Sequence, residues 1–398
     1  MMQTQVSRWP IVAAFAMVGA ATQVLWLSFA PVTTVAAEHY GVSESAIGWL
    51  ANVFPLFYVV LAIPAGLLLD RWFTQALAAG AVLTAVGGLL RLIGDDFVWV
   101  LTGQIVIAIA QPLVLNAITG ITGRYLAEED RPAGIAIGSA STFAGMIIAF
   151  LLGAIFTDAE QLGTLIATGA AFSVIAAVVL VVALRTPFAF SHQRPPAGLA
   201  ALRIAWNDDF IRRLCVLVFF PFGTFVALTT FAQALLEPAG VDSGTASIIL
   251  LLNVLAGVVG CAVLPIVAAR RGWELKMLVL GAITAFLGCV ALAVAPGAIV
   301  AYGSLTLIGF LLLPALPIVL AMTERRSGEV EGTAAGLIWM SGNLGGLVVA
   351  TIVGLLVDHP GPAFLVAGIA ALLAVSFLRG IGPYFSADAE VETADPTH

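Results

Sequence analysis

The sequence predicts an all-α membrane protein with twelve transmembrane helices in two six-helix bundles. Three observations carry that prediction. Hydrophobic residues make up 61% of the chain and charged residues 10%, whereas soluble domains carry about a quarter charged residues; the mean hydropathy is +1.08. Apolar runs long enough to cross a hydrocarbon layer about 30 Å thick, roughly 20 residues of helix, recur twelve times. One longer polar stretch divides these runs six and six.

In chain order, a short polar start from Met1 to Arg8 precedes the first apolar run. That run lacks a clear small-residue cleavage site, so it reads as a retained helix rather than a removed signal. The first six spans are 11–36, 45–69, 73–93, 98–122, 133–157 and 162–184. The second six are 211–235, 244–268, 274–295, 298–322, 330–356 and 362–379. Residues 1–184 and 211–379 are therefore expected to form the two bundles, with 185–210 as a linker between them. Asp388, Glu390, Glu392 and Asp395 mark 380–398 as an acidic, disordered tail.

Charge sets the expected sidedness. With a cytoplasmic N-terminus, every basic residue of the 16 except Arg91 falls on the inner side, from Arg8 and Arg71 through Arg124, Arg185 and Arg270 to Arg379. The opposite orientation reverses that bias. A multi-pass protein of the cell membrane with both termini cytoplasmic is the expectation. Asp95, Asp96, Asp158, Glu237 and Asp358 then lie in outer connections.

Other classes fit poorly. Cys215, Cys261 and Cys289 are isolated in apolar segments, so neither a metal site nor a disulfide framework is expected. No span gathers His, Asp, Glu or Cys into a catalytic cluster, and no basic tract marks a nucleic-acid partner. No enzyme activity, cofactor or metal is expected. The expected partners are a small-molecule substrate and the lipid bilayer, and the expected state is a monomer. A channel would need a repeated filter loop or a ring of charge.

Amides at mid-span point to a polar cavity. A helix facing only lipid gains nothing from a buried amide, yet Gln23 and Trp26 lie in the first span and Gln111 and Asn116 in the fourth. The alternative is that such amides bond to neighbouring helices. Gln23 and Trp26 share a helical face, as do Gln104 and Gln111. The deep parts of the spans carry amides, hydroxyls and aromatics, with no expected Asp, Glu, Lys, Arg or His. Phe225, Trp339 and Asn343 are the candidates in the second half, Phe225 equally readable as packing. An aromatic face attracts a cation without a desolvated carboxylate, at roughly 0.5–2 kcal/mol per contact. Glycines at 134, 138 and 145, and at 332, 336, 342, 345 and 346, permit close helix approach.

At the end of the second span, Gly66 precedes Asp70 and Arg71 by the spacing Gly-x-x-x-Asp-Arg. This resembles the signature of the major facilitator superfamily between its second and third helices, and two six-helix halves are that superfamily's plan. The resemblance implies an inner gate of Gly66, Asp70, Arg71 and Arg124. The second half has Pro265 and then Ala269, Arg270 and Arg271, without the acidic residue.

A narrower resemblance rests on Ala21 to Trp26, His39 to Val42, Ile47 to Leu50, Leu69 and Asp70, Thr102 to Gln104 and on to Gln111, and Glu331 to Leu337. These segments resemble the feline leukaemia virus subgroup C receptor-related family, whose members are associated with choline, ethanolamine and haem. The resemblance implies that Trp26 and Gln111 contact substrate. It places Asn343 where the family has a glutamine and Val226 where it has a tyrosine. The leading expectation is alternating-access transport of a small organic cation or zwitterion, choline-like amines first and without ion coupling. The alternatives are a proton-coupled exporter of drugs or nutrients, a haem transporter, and a membrane receptor that does not transport.

Overall fold

A computed structural model describes residues 6–190, 199–327 and 331–378. The acidic tail at 380–398 lies outside the described residues. The described residues form sixteen α-helices: α1 (Trp9–Leu27), α2 (Thr33–Tyr40), α3 (Glu44–Arg71), α4 (Phe73–Leu90), α5 (Phe97–Leu115), α6 (Ile118–Tyr125), α7 (Arg131–Ile155) and α8 (Leu162–Ala183), then α9 (Leu199–Asn207), α10 (Asp209–Leu236), α11 (Ser243–Arg271), α12 (Glu274–Val294), α13 (Ala298–Leu312), α14 (Ala315–Ser327), α15 (Glu331–Leu355) and α16 (Pro360–Leu378). Twelve segments are long and apolar enough to cross a membrane.

Three expected spans are not single helices. The first runs as α1, a short 3-10 turn at Ala30–Val32, and α2. Pro31 has no amide hydrogen, and its ring crowds the carbonyl four residues earlier, which favours a break at this point. The fourth breaks between α5 and α6 just after Pro112, with Asn116 as the C-cap. The tenth breaks between α13 and α14 at Pro314. The stretch read as a linker holds a helix of its own, α9.

Local chemistry sets the helix starts and stops. Gly41 ends α2 at φ 62°, in the left-handed region that glycine enters without a Cβ penalty. Ser43 then caps α3, its hydroxyl accepting the Ala46 amide at 3.2 Å. The Asp96 carboxylate accepts the Val98 and Trp99 amides at 3.0 and 3.2 Å and opens α5.

The contacts divide the chain into two compact units. The first comprises residues up to Pro196 with Thr229–Val254; the second comprises Ala197–Leu228 with the residues from Leu255 onward. In the first, α1 packs against α7, α8 and α5, and α4 against α5 and α8. One core cluster gathers Phe15, Leu77, Ile121, Tyr125 and Leu180; another gathers Phe29, Ile47, Leu50 and Ile166. In the second unit, Phe210, Leu214, Ile318 and Ile338 form the main cluster.

The two ends of the first unit differ in charge. At one, the Arg8 amide donates to the Tyr125 carbonyl at 2.8 Å, and the Tyr125 hydroxyl to the Thr186 carbonyl at 3.1 Å. This end carries Arg8, Arg71, Arg124 and Arg185. At the other, His39 pairs with Asp95 at 2.8 Å, joining α2 to the loop before α5.

Gly145 is where α1 and α7 meet most closely. A Cβ there would lie 2.2 Å from the Ala20 carbonyl oxygen and 2.7 Å from Gln23 Cβ. Backbone cannot yield to a methyl at that distance, so the contact requires glycine. Gly145→Val should lower stability by about 1–3 kcal/mol, read as an earlier thermal midpoint in detergent, while Gly163→Ala, where open space surrounds the position, should leave it unchanged.

Candidate functional site

The first unit assembles its polar side chains around the broken first span. Trp26 lies one residue before the end of α1 and is 7% exposed. Its indole Nε1 donates to the Ala51 carbonyl at 3.0 Å, and its ring leans on Phe54 at 6.3 Å between centroids. Gln23, three residues earlier, is buried; its Nε2 donates to Thr22 Oγ1 at 3.3 Å.

The two glutamines of α5 have different fates. Gln104 is fully buried and bonded, Nε2 donating to the Leu25 carbonyl at 2.9 Å. Gln111, two turns on, is 4% exposed, and its amide makes no hydrogen bond among the described residues. Asn116 is tied at both ends to α3: it accepts from the Tyr58 hydroxyl at 2.9 Å and donates to the Ala62 carbonyl at 3.0 Å.

Arg91 corrects the expectation that the spans bury no charge. It follows α4 directly, near the expected outer end of the third span, yet it is 2% exposed. Its guanidinium donates to Ser28 Oγ at 2.9 Å, Gln104 Oε1 at 3.3 Å and the Leu25 carbonyl at 3.4 Å. The Phe29 ring lies 5.0 Å from its central carbon. The available signal was an arginine inside an apolar run with Gln104 at a comparable depth in the next helix.

In the second unit, Phe225, Trp339 and Asn343 are linked through one further aromatic. Phe222 lies 6.3 Å from Phe225 and 6.0 Å from Trp339, edge to face with the indole. Asn343 Nδ2 donates back to the Trp339 carbonyl at 2.9 Å, one turn earlier. Phe222 and Phe225 also border a small apolar pocket with Val218, Pro221 and Leu313. Val226 is fully buried, and its side chain packs at Gly346 of α15.

Among the described residues no side-chain hydrogen bond or ion pair joins Asp70 to Arg71 or Arg124. Asp70 is exposed and makes no ion pair or hydrogen bond through its side chain among the described residues. Arg71 stacks over Trp72 at 4.5 Å. Arg124 lies 4.1 Å from the Phe73 ring and donates to the Gly120 carbonyl at 3.1 Å. Gly66 has nothing within 4 Å of where a Cβ would stand, so no neighbouring helix exploits its missing side chain.

These helices and this arrangement match known proteins. The family model of the Major Facilitator Superfamily aligns with residues 11–350. The chain belongs to that superfamily. It is a multi-pass membrane protein of the transporter class rather than an enzyme. An uncharacterized MFS-type transporter of Caenorhabditis elegans is 22% identical over 387 residues, 89% of this chain and 65% of the relative. The chain thus spans slightly under two thirds of that relative's length. The choline/ethanolamine transporter flvcr2a of Danio rerio is 23% identical, over 89% of this chain and 81% of its own. Among solved structures, a bacterial homologue of the human lysosomal transporter Spinster and the nucleoside transporter NupG each share 16% identity at a TM-score of 0.71. The first match covers 92% of this chain and 94% of the other, the second 93% and 98%.

Asn116 and Tyr58 join α5 to α3 beside a helix break, so their loss should register as stability. Asn116→Leu strands a buried hydroxyl and a carbonyl, a cost of about 1–3 kcal/mol. A lower thermal midpoint in the ligand-free protein is the expected outcome, with Tyr58→Phe showing a smaller drop in the same direction.

Proposed function

We propose that this superfamily member carries a small organic cation or zwitterion across the membrane by alternating access, with choline-like amines as the first candidates. The observation that carries this reading is Gln111, a residue 4% exposed whose amide bonds no other described residue and keeps some accessible surface, so that it can meet a ligand. An amide that the fold leaves unbonded but accessible can exchange water for a substrate hydroxyl or carbonyl. Trp26 supplies an aromatic ring from α1. Gln23 in the first unit and Phe225, Trp339 and Asn343 in the second extend the proposed binding set, whereas the bonds of Asn116 favour a strut. The name of the Danio rerio relative favours choline or ethanolamine as substrate.

Arg91 favours a second reading inside the same class. The first unit buries a permanent positive charge on the residues beside Trp26, with no carboxylate paired to it among the described residues. A zwitterion, whose carboxylate offsets that charge, suits such a field better than a bare cation. Choline and glycine betaine share a trimethylammonium group and differ in the carboxylate, so their relative affinities separate the two readings.

The clustering of basic residues favours a cell-membrane protein with both termini cytoplasmic. Two six-helix bundles joined through 185–210 and a monomeric state belong to the same proposal. The gate reading assigns Gly66, Asp70, Arg71 and Arg124 to a latch that engages in the alternate form, since Asp70 is unpaired in this one.

Purified protein screened by thermal shift against choline, ethanolamine and glycine betaine tests the substrate class, because a true ligand raises apparent stability by mass action. Trp26→Ala should weaken the binding of a hit by roughly 2- to 30-fold, the equivalent of about 0.5–2 kcal/mol. Unchanged affinity in a folded variant removes Trp26 from the site.

Transport should proceed without a proton gradient. A proton-driven carrier needs a shielded carboxylate or histidine that loads and releases protons. The buried polar groups of the first unit are instead amides, hydroxyls and Arg91, and arginine keeps its proton; in the second unit the buried carboxylate of Glu274 stands at the first residue of α12, at the span's end rather than at mid-depth. In proteoliposomes clamped near zero voltage by potassium and valinomycin, a pH difference should drive no accumulation. Uphill uptake abolished by a protonophore would assign the protein to proton-coupled carriers instead.

A further inference from the structure

We infer that Arg91 and Gln104 are positioning residues for Trp26: together they clamp the break in the first span and so fix where the indole stands. The inference rests on the reading of Trp26 as a substrate contact.

The argument starts at the Leu25 carbonyl. In a continued α-helix this oxygen would accept the Phe29 amide, but α1 ends at Leu27 and a 3-10 turn follows from Ala30. Here the oxygen takes three side-chain donors: Gln104 Nε2 at 2.9 Å, Ser28 Oγ at 2.9 Å and Arg91 Nη1 at 3.4 Å. Arg91 Nη2 holds the Ser28 hydroxyl at 2.9 Å, and Arg91 Nη1 also reaches Gln104 Oε1 at 3.3 Å. The Phe29 ring closes the cluster beneath the guanidinium. Two side chains from α4 and α5 thus grip residues 25, 28 and 29, on both sides of Trp26.

Packing alone does not account for the choice of arginine. A buried guanidinium loses several kcal/mol of hydration, and its Nε finds no partner here. A neutral amide could serve one carbonyl at lower cost. What arginine adds is a rigid planar fork that reaches several acceptors at once, the property needed to hold a non-helical turn in one shape. The other end of Trp26 is held by the Ala51 carbonyl. With the backbone clamped on one side and Nε1 on the other, the indole plane has little freedom.

The test uses full-length protein labelled with 5-fluorotryptophan, the Trp26 resonance being assigned by its loss in Trp26→Phe. Arg91→Gln and Gln104→Leu are the primary variants, since each removes part of the clamp while keeping a side chain of similar bulk; Arg91→Met is the harsher one. The clamp predicts that each displaces or broadens the Trp26 fluorine resonance more than that of Trp206, in the second unit. It further predicts that Gln104→Leu, which leaves the Arg91 charge in place, weakens choline binding by no more than the loss seen in Trp26→Ala, and has no further effect when added to Trp26→Ala. A simple loss of fold stability would lower the thermal midpoint in both backgrounds without that dependence. An unmoved Trp26 resonance in folded Arg91→Gln and Gln104→Leu overturns the inference. So does an affinity loss that persists undiminished in the Trp26→Ala background. If the wild-type protein fails to bind choline while the resonance still moves, the clamp stands and the choline reading falls.

Discussion

Within a bilayer, every backbone carbonyl freed by a helix break must find a donor inside the protein. The first unit meets that constraint at Leu25, and much of its organisation depends on how. The first span breaks just before Pro31, and the oxygen exposed at the break draws in Arg91 from the end of α4 and Gln104 from α5. Three helices are joined at one atom. Trp26 sits inside that junction, so the same requirement that keeps the backbone satisfied also fixes an aromatic ring in a defined place.

The second break in this unit follows the same logic with different chemistry. Where α5 gives way to α6, Asn116 spans to α3 through Tyr58 and the Ala62 carbonyl. Between the two breaks lies Gln111, whose amide receives no such assignment. Gln104 and Gln111 are seven residues apart on one face of α5, and their difference is instructive. An amide that closes a backbone vacancy is explained by the fold; Gln111, unbonded within the fold yet accessible, is left available to a ligand.

The twelve-span plan was legible in the sequence because it rests on composition and length alone; most helices fall within a few residues of the expected limits, while the fourth stops at Leu115, well short of residue 122. The broken spans were harder to read. Pro31, Pro112 and Pro314 were visible, but a proline inside an apolar run can kink a helix or end it, and the outcome depends on which neighbour supplies the missing hydrogen bonds. Arg91 was obscured for a related reason. Its neighbours Gly94, Asp95 and Asp96 look like a surface loop, and nothing local shows that the side chain turns inward to Ser28 and Leu25. Gly66 fails in the opposite sense: a glycine in a recognised spacing invited a close contact that the structure does not contain. Long-range partners decide these cases, and they leave no periodic trace along the chain.

Charge supplies the last link between this architecture and its proposed cargo. A permanent cation buried beside Trp26 raises the local potential and opposes a second cation, while aromatic faces and amide oxygens attract one. Each cation–π contact is worth roughly 0.5–2 kcal/mol, and two unit charges 10 Å apart repel by about 1.7 kcal/mol at an effective dielectric constant of 20. The two effects are of the same size, so neither dominates on its own. A substrate with a carboxylate turns the repulsion into attraction, whereas a bare cation must draw on the aromatics and on the membrane potential, worth about 2.3 kcal/mol per charge at 100 mV. The balance at Arg91 therefore discriminates between substrates that share the same ammonium group, without the arginine touching either of them.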